Sequence, residues 1–533
     1  MNIQENIEQA KKYIANNKLD EALNLLYKSP TSDLNIQDEI FFEIGKVFLL
    51  KRKYNKSVFY LKKIKKMSLK QFVYDLLVQD YNELKEYNKI LNIFRKFDKE
   101  NINDYILYLV LKSSYKLKKL SKMFSIINII RANNIYNTLL EELINNIYKN
   151  LSIKIQKLNR KNKKKEVKSL FKSIYKYIPN NDIKFKNIIL NEYEIAISKK
   201  SLKSYPRFAQ VVITTNCNLN CVMCDKNNHD AKYELSNKIL CDLIKIMPYL
   251  QKLVLRGGEV FLYKNFNNIL DEAQKNNVVI EILTNGLLLN ENNIKKLIKS
   301  NAILVFSIDS PMKTTYEYIR KGASFEKLIK NILLLNKIKK ELKSEIKFNI
   351  NMVVMKMNYK QIPDMIKFAR KYDFNGLTLN PINGEYIENC FSYKVDNRII
   401  KELSEKRGEY EIMAKNNNII LINKLPNKTV FKFNSDTCFD NNYCENNSSR
   451  KFCHVPWREI FLDTGFIFKP GCLCEQQIEG ADLEKDNNII YLWNSHFMKN
   501  YRKNIIAHNE KEICSKRCLL NKFMNYDNYR IID

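Results

Sequence analysis

Cys217, Cys221 and Cys224 stand in the run Thr214 to Cys224 (TTNCNLNCVMC), directly after the apolar stretch Val211-Val212-Ile213. A C-x3-C-x2-C spacing on a tight loop places three thiolates around one point, which suits a cubane iron-sulfur cluster. No fourth ligand stands nearby in the sequence, so one iron of a [4Fe-4S] cluster held here stays open to chelate a small molecule. Zinc is the competing occupant, since clustered cysteines often hold it. A structural zinc site closes with four N or S ligands, commonly as two separated pairs, and no second C-x2-C pair is present.

Other segments carry groups of the same kind. Gly257-Gly258-Glu259 sets two glycines, which let the main chain approach a ligand closely, beside a carboxylate able to receive an ammonium group. Thr284-Asn285-Gly286 is a turn signal. Ser307 and Asp309 point the same way on an extended chain, and Arg320 offers a planar fork for a carboxylate. A helix cap and a surface salt bridge would also account for that set. Asn380, Asn383, Glu385 and Tyr386 add polar groups further on.

These residues need a scaffold, and the pattern from 208 to about 383 supplies one. It predicts strands at Ala209 to Thr215, Lys252 to Arg256, Val278 to Thr284, Ile303 to Ile308, Lys347 to Met355 and Gly376 to Asn380, with helical stretches between them. Short apolar strands alternating with helices imply parallel βα units, and six fit a partial (β/α)6 TIM-like barrel. Every motif above falls at the carboxyl end of a strand, where a barrel places its active site.

Before this α/β region, residues 1 to 150 read as an all-α repeat. Leu19, Tyr54, Tyr87 and Leu120 recur in similar contexts at steps of 35, 33 and 33 residues. Tetratricopeptide repeats have a period of about 34 and a small residue three positions after the turn aromatic. Ala22 and Ser57 fit that position and Gly45 fits a helix-contact glycine, whereas Ile90 and Met123 do not fit the small position. Such helix pairs stack into a surface that holds a peptide or protein; a generic helical bundle is the alternative. Residues 151–205 read as a lysine-rich helical linker, ending near Tyr205-Pro206.

Composition sets wider bounds. The chain has 533 residues, 45% hydrophobic and 28% charged, as in ordinary globular proteins, and shows no apolar run of about 20 residues that would cross a bilayer. The start is acidic and lacks a signal-like segment, so a cytoplasmic location is expected, with reduced cysteines. Cys241 reads as a plain buried thiol on an amphipathic helix. The formal charge of +32 comes almost wholly from lysines spread along the whole chain, an even distribution that argues against a nucleic-acid footprint.

The succession of motifs resembles the radical S-adenosylmethionine (SAM) superfamily. The resemblance implies that Cys217, Cys221 and Cys224 hold a [4Fe-4S] cluster whose open iron takes the amino and carboxylate groups of SAM. One electron then breaks the sulfonium bond and gives a 5′-deoxyadenosyl radical. It further implies Gly257, Gly258 and Glu259 at the amino group of SAM, Ser307 and Arg320 at its ribose and carboxylate, and Asp309 as a further contact. Val353, Val354 and Met355 would line the adenine side or simply fill the core.

Toward the end come Cys453-His454-Val455-Pro456-Trp457, a hairpin signal over Ile460 to Phe468, Cys472-Leu473-Cys474, Leu492-Trp493 and Cys514-x3-Cys518. This part resembles the SPASM/twitch extension, which binds auxiliary [4Fe-4S] clusters. The resemblance implies one auxiliary cluster on Cys453, Cys472, Cys514 and Cys518, with Cys474 a rival to Cys472 and a zinc knuckle as the alternative. Cys438 and Cys444 lie upstream, and the C-x2-C-x5-C-x3-C run of the two-cluster version is absent.

The expected organisation is therefore a helical repeat domain (1–150), a linker (151–205), a radical SAM core (206–385), a helical connector (386–437) and a small iron-sulfur domain (438–533). The expected activity is hydrogen abstraction from a peptide or protein captured by the repeats, with electrons from a donor such as flavodoxin or ferredoxin. No membrane or nucleic-acid partner is expected. An adaptor with an inactive barrel and a tRNA-modifying enzyme are the alternatives.

Overall fold

The computed structural model describes residues 2–97, 102–224, 232–300, 302–382, 396–425, 453–463, 467–471, 474 and 488–507. The chain divides into two compact units, Met1–Ile189 and Leu190–Asp533. No helix among the described residues is long and apolar enough to cross a membrane.

The first unit is built from helix hairpins: α1 Ile3–Ala15 with α2 Leu19–Tyr27, α3 Leu34–Leu50 with α4 Tyr54–Leu61, α5 Lys70–Glu83 with α6 Tyr87–Phe94, α7 Asp104–Lys116 with α8 Leu120–Ala132, and α9 Thr138–Arg160 with α10 Lys164–Ile174. One turn recurs in all of them. Asn17, Arg52, Lys85, Lys118 and Asn162 take left-handed backbone with φ of 57°, 57°, 57°, 55° and 53°. For a residue with a side chain that conformation costs roughly 1–2 kcal/mol. It is offset by closing the helix end, because the next residue's N–H reaches the carbonyl five positions back. Lys18 N to Tyr13 O, Lys53 N to Phe48 O and Glu86 N to Tyr81 O are each 2.8 Å. Gly45 is needed for close approach, since a Cβ there would lie 2.7 Å from the Leu61 side chain. The buried Ser57 hydroxyl donates to the Gly45 carbonyl across the same contact at 2.8 Å. The boundary expected at residue 150 falls inside α9, and the compact unit runs on to Ile189.

In the second unit nine described strands form one sheet: β1 Phe208–Thr214, β2 Lys252–Gly257, β3 Val279–Thr284, β4 Ala302–Ser307, β5 Lys347–Val354, β6 Gly376–Pro381, β7 Ile420–Asn423, β8 Glu459–Leu462 and β9 Phe468–Lys469. Their order is β7-β6-β5-β4-β3-β2-β1-β8-β9, parallel throughout except for the β8–β9 hairpin. The expected strands appear within a residue or two of their expected bounds, in the mostly parallel α/β arrangement of a partial barrel. Two features lie outside those expectations: β7 extends the β6 edge, and β8, from far down the chain, pairs with β1.

Alternation along the strands separates two faces. Leu253, Leu255, Ile280, Ile282, Leu304, Phe306, Phe348 and Ile350 are buried in one core with helix residues such as Ile239, Leu243, Ile269, Ile294, Leu328 and Met365. The alternate positions include Gln210, Arg256, Glu281, Ser307, Asn349, Asn351 and Asn380, all only half-buried. Parallel sheets are ordinarily apolar on both faces, so a polar, partly open second face leaves room for a ligand. Cys241 departs from expectation: it is exposed, on the outward side of helix Asn237–Ile246, whose apolar stripe is carried by Ile239, Leu240, Leu243 and Ile246.

Candidate active site

The loop after β1 is anchored on several sides by hydrogen bonds that leave its main chain little freedom. From β2, the Gly258 N–H donates to Thr214 O and the Glu259 N–H to Asn216 O, both at 2.7 Å. That approach requires glycine, because a Cβ on Gly257, where φ is +146°, would lie 2.1 Å from Thr214 O, and one on Gly258 2.1 Å from Asn216 O. The amide of Asn285, in the turn after β3, donates to the Asn218 side chain at 2.9 Å. The segment after helix Lys313–Ile319 receives two more bonds, Asn220 N to Lys321 O and Val222 N to Ile319 O, both 2.9 Å. On the return side, Thr215 N donates to Tyr233 O at 2.9 Å, and the Asn216 amide to Glu234 at 3.0 Å.

Cys217 is exposed, Cys221 buried and Cys224 half-buried on this loop. A three-cysteine iron-sulfur cluster fits the donor set, because the loop offers three sulfurs with no histidine or carboxylate among them. Cys217 and Cys224 both act electrostatically on Cys221, while among the described residues no three His, Cys, Asp or Glu side chains form a ready-made metal site.

The charged residues expected at the site are more deeply committed than the sequence suggested. Glu259 is fully buried, and its carboxylate accepts from the Thr284 hydroxyl at 2.7 Å and the Asn285 N–H at 2.8 Å. It thus joins the ends of β2 and β3. Burial pushes its pKa up, and those donors pull against the shift. Asp309 is also fully buried; unlike Ser307, which is half-buried at the end of β4, it does not face the open side. Its Oδ1 accepts from Val353 N at 2.8 Å, and its Oδ2 pairs with Arg320 Nη2 at 2.8 Å.

Arg320 is 7% exposed, so this is no surface salt bridge, and its Nη1 lies 3.8 Å from the sulfur of Cys221 in donor geometry. Burial opposes the Arg320 charge, but Asp309, Cys221 and Tyr316 outweigh it and hold the pKa above its ordinary value. Burial likewise pushes the Cys221 thiol up to about 11, with Arg320 opposing. Asn358 went unnoticed in the sequence. It is fully buried, donates to Asp309 O and Val353 O at 2.8 Å, accepts from Met355 N at 2.7 Å, and so ties the end of β5 to that of β4.

Of the auxiliary cysteines, Cys453 is half-buried and Cys474 buried, while Cys472, Cys514 and Cys518 lie outside the described residues, as do Cys438 and Cys444. Because β8 runs parallel to β1, with Glu459 beside Phe208, Cys453 precedes the amino end of that pair. β9 returns antiparallel to the same end, where a Cβ on Gly471 would meet Val455 at 2.5 Å and the Cys474 sulfur at 3.6 Å. The Cys217 loop leaves the opposite end of β1, a strand about 20 Å long at ~3.3 Å per residue.

Residues 211–369 match the model of the radical SAM superfamily. A curated relative, the tungsten-containing aldehyde ferredoxin oxidoreductase cofactor-modifying protein of Pyrococcus furiosus, is 32% identical over 173 residues, which is 30% of this chain and 48% of the relative. The cysteine-type anaerobic sulfatase-maturating enzyme of Clostridium novyi is 29% identical over 194 residues, 32% of this chain and 50% of that enzyme. The chain therefore spans about half the length of each. Among solved structures, Streptococcus suis SuiB bound to precursor peptide SuiA matches with a TM-score of 0.44 and 16% identity, covering 59% of this chain and 70% of that one. The cofactors that go with a radical SAM domain are a [4Fe-4S] cluster and SAM, and the cysteine loop lies within the matched residues.

Proposed function

We propose that this chain is a radical SAM enzyme acting on a peptide or protein. The observation that carries the proposal is the loop of Cys217, Cys221 and Cys224, anchored at the carboxyl end of β1 inside the matched domain. Cys217, Cys221 and Cys224 would hold three irons of a [4Fe-4S] cluster, which would supply the electron for reductive cleavage of SAM and so the radical chemistry that takes a hydrogen atom from substrate. The chain's own residues hold and orient. Gly257 and Gly258 clear the main chain beside the amino-acid end of SAM, and Ser307 serves its ribose or carboxylate from β4. Glu259, Asp309 and Arg320, all buried, keep the loops in register.

The half-buried polar face of the sheet, with Arg256, Asn349, Asn351 and Asn380, is the surface against which substrate would lie. A protein substrate is supported by the hairpin repeat of the first unit, read as TPR-like, and by the relative named as a sulfatase-maturating enzyme. Cys453, Cys514, Cys518 and either Cys472 or its rival Cys474 would hold one auxiliary cluster. With Cys453 just before the amino end of β8, such a cluster would be suited to exchange electrons with a flavodoxin- or ferredoxin-type donor.

Anaerobic reconstitution tests the proposal. Wild type should hold about eight irons per chain and form 5′-deoxyadenosine with SAM and reductant, and the Cys217→Ala, Cys221→Ala, Cys224→Ala variant should hold about four and form none. Wild type that binds SAM yet forms no 5′-deoxyadenosine would point instead to an adaptor.

A further inference from the structure

Arg320 was expected to meet the carboxylate of SAM, but its guanidinium is already engaged. Asp309, fully buried, holds Nη2 at 2.8 Å, and Nη1 is directed at the sulfur of Cys221. The surroundings hold Arg320 from both sides. Its N–H donates to Tyr316 O at 2.8 Å, and the neighbouring carbonyls Ile319 O and Lys321 O accept from Val222 and Asn220, the residues that flank Cys221. Asp309 is fixed in turn by Val353 N through its Oδ1 and by the Asn358 amide through its main-chain carbonyl. Fixing the Asp309 carboxylate fixes the guanidinium that it holds, and with it the direction of Nη1 toward the sulfur.

We propose that Arg320, seated on Asp309, is a positioning residue for Cys221: it donates an N–H to the Cys221 sulfur and leaves the SAM carboxylate to other groups. The proposal rests on the reading of the loop as a cluster site. Hydrogen bonds to ligand sulfur stabilise the more electron-rich reduced form, so Arg320 sets the potential at which the cluster accepts its electron. A SAM ligand at this position would behave otherwise, because its loss would weaken SAM binding while leaving the potential where it was.

The test uses the reconstituted full chain. Arg320→Met alone would strand the Asp309 carboxylate, so Arg320→Met is combined with Asp309→Leu, which removes both charges together and protects folding. Arg320→Lys serves as the conservative variant. Two quantities are read: the midpoint potential of the SAM-responsive cluster by EPR-monitored titration, and the SAM dissociation constant by equilibrium dialysis. The double variant should show a more negative potential, or lose the loop cluster while keeping its fold and auxiliary iron, with SAM affinity in loaded protein changed less than about threefold. Arg320→Lys should fall between it and wild type.

A potential equal to wild type, or SAM binding weakened about thirtyfold or more at unchanged potential, overturns the proposal. Wild type without a cluster at the loop overturns the cluster reading itself, whereas a loaded wild type with an indifferent double variant overturns only the role of Arg320.

Discussion

The two ends of β1 are both secured by buried arginine–carboxylate contacts, put to different uses. At the carboxyl end one arginine, Arg320, sits between Asp309 and the sulfur of Cys221, beside a loop whose cysteines are partly exposed. At the amino end two arginines share one carboxylate. Glu192 is fully buried, accepts from Arg458 at 2.8 Å and also pairs with Arg207, which donates to Gln251 at 2.7 Å. Arg502, 0% exposed, adds three bonds to main-chain carbonyls, to Pro456 at 2.9 Å, Trp493 at 2.8 Å and Lys200 at 3.0 Å. Every partner there is backbone, amide or carboxylate, so the amino end is a structural lock. At the carboxyl end one partner is a candidate ligand, and holding a loop there also controls chemistry.

This difference orders the expected outcomes. Glu192→Leu should have the largest effect, because it leaves two buried guanidinium groups unpaired. We expect a loss of about 3–5 kcal/mol in urea unfolding of the full chain, with iron at the loop unchanged in the folded fraction. Gly258→Ala should invert that pattern: a Cβ meeting Asn216 O must push the loop aside, so about four irons and SAM cleavage are lost for a cost of about 1–3 kcal/mol. Cys453→Ala should lower iron by about four per chain while the SAM-responsive EPR signal survives.

The smallest effect concerns acid. Although burial opposes it, Arg458 and Arg207 hold the Glu192 carboxyl down at about 2. A depressed folded pKa contributes stability that is present above the unfolded value near 4.5 and lost as pH falls through the folded one. Melting temperature should therefore drop between about pH 4.5 and pH 2, and Glu192→Gln should flatten that drop.

Much of the carboxyl end was legible because its parts are local. A three-cysteine loop after an apolar strand, glycines after the next strand and a serine ending the fourth are each written within a few residues, and strand alternation orders them. What could not be read was which charges are spent on each other. Asp309 and Arg320 look in sequence like two independent ligands, and only the fold shows that one occupies the other. The amino end was nearly invisible for the opposite reason. Its lock joins Glu192, Arg207, Arg458 and Arg502, residues up to about 300 positions apart, and no short-range pattern marks a buried arginine. In the first unit the turn residues Arg52, Lys85 and Lys118 carry no glycine signal for their left-handed backbone, so there the repeat was visible only in its spacing.

The central claim is that three loop cysteines hold a cluster with one iron open to SAM. EPR of the dithionite-reduced, fully reconstituted chain, recorded with and without SAM, tests it most directly. The account predicts a spectrum that shifts on adding SAM and loses the shifting component in Cys221→Ala. Zinc in place of iron at Cys217, Cys221 and Cys224, or a spectrum indifferent to SAM, would contradict it.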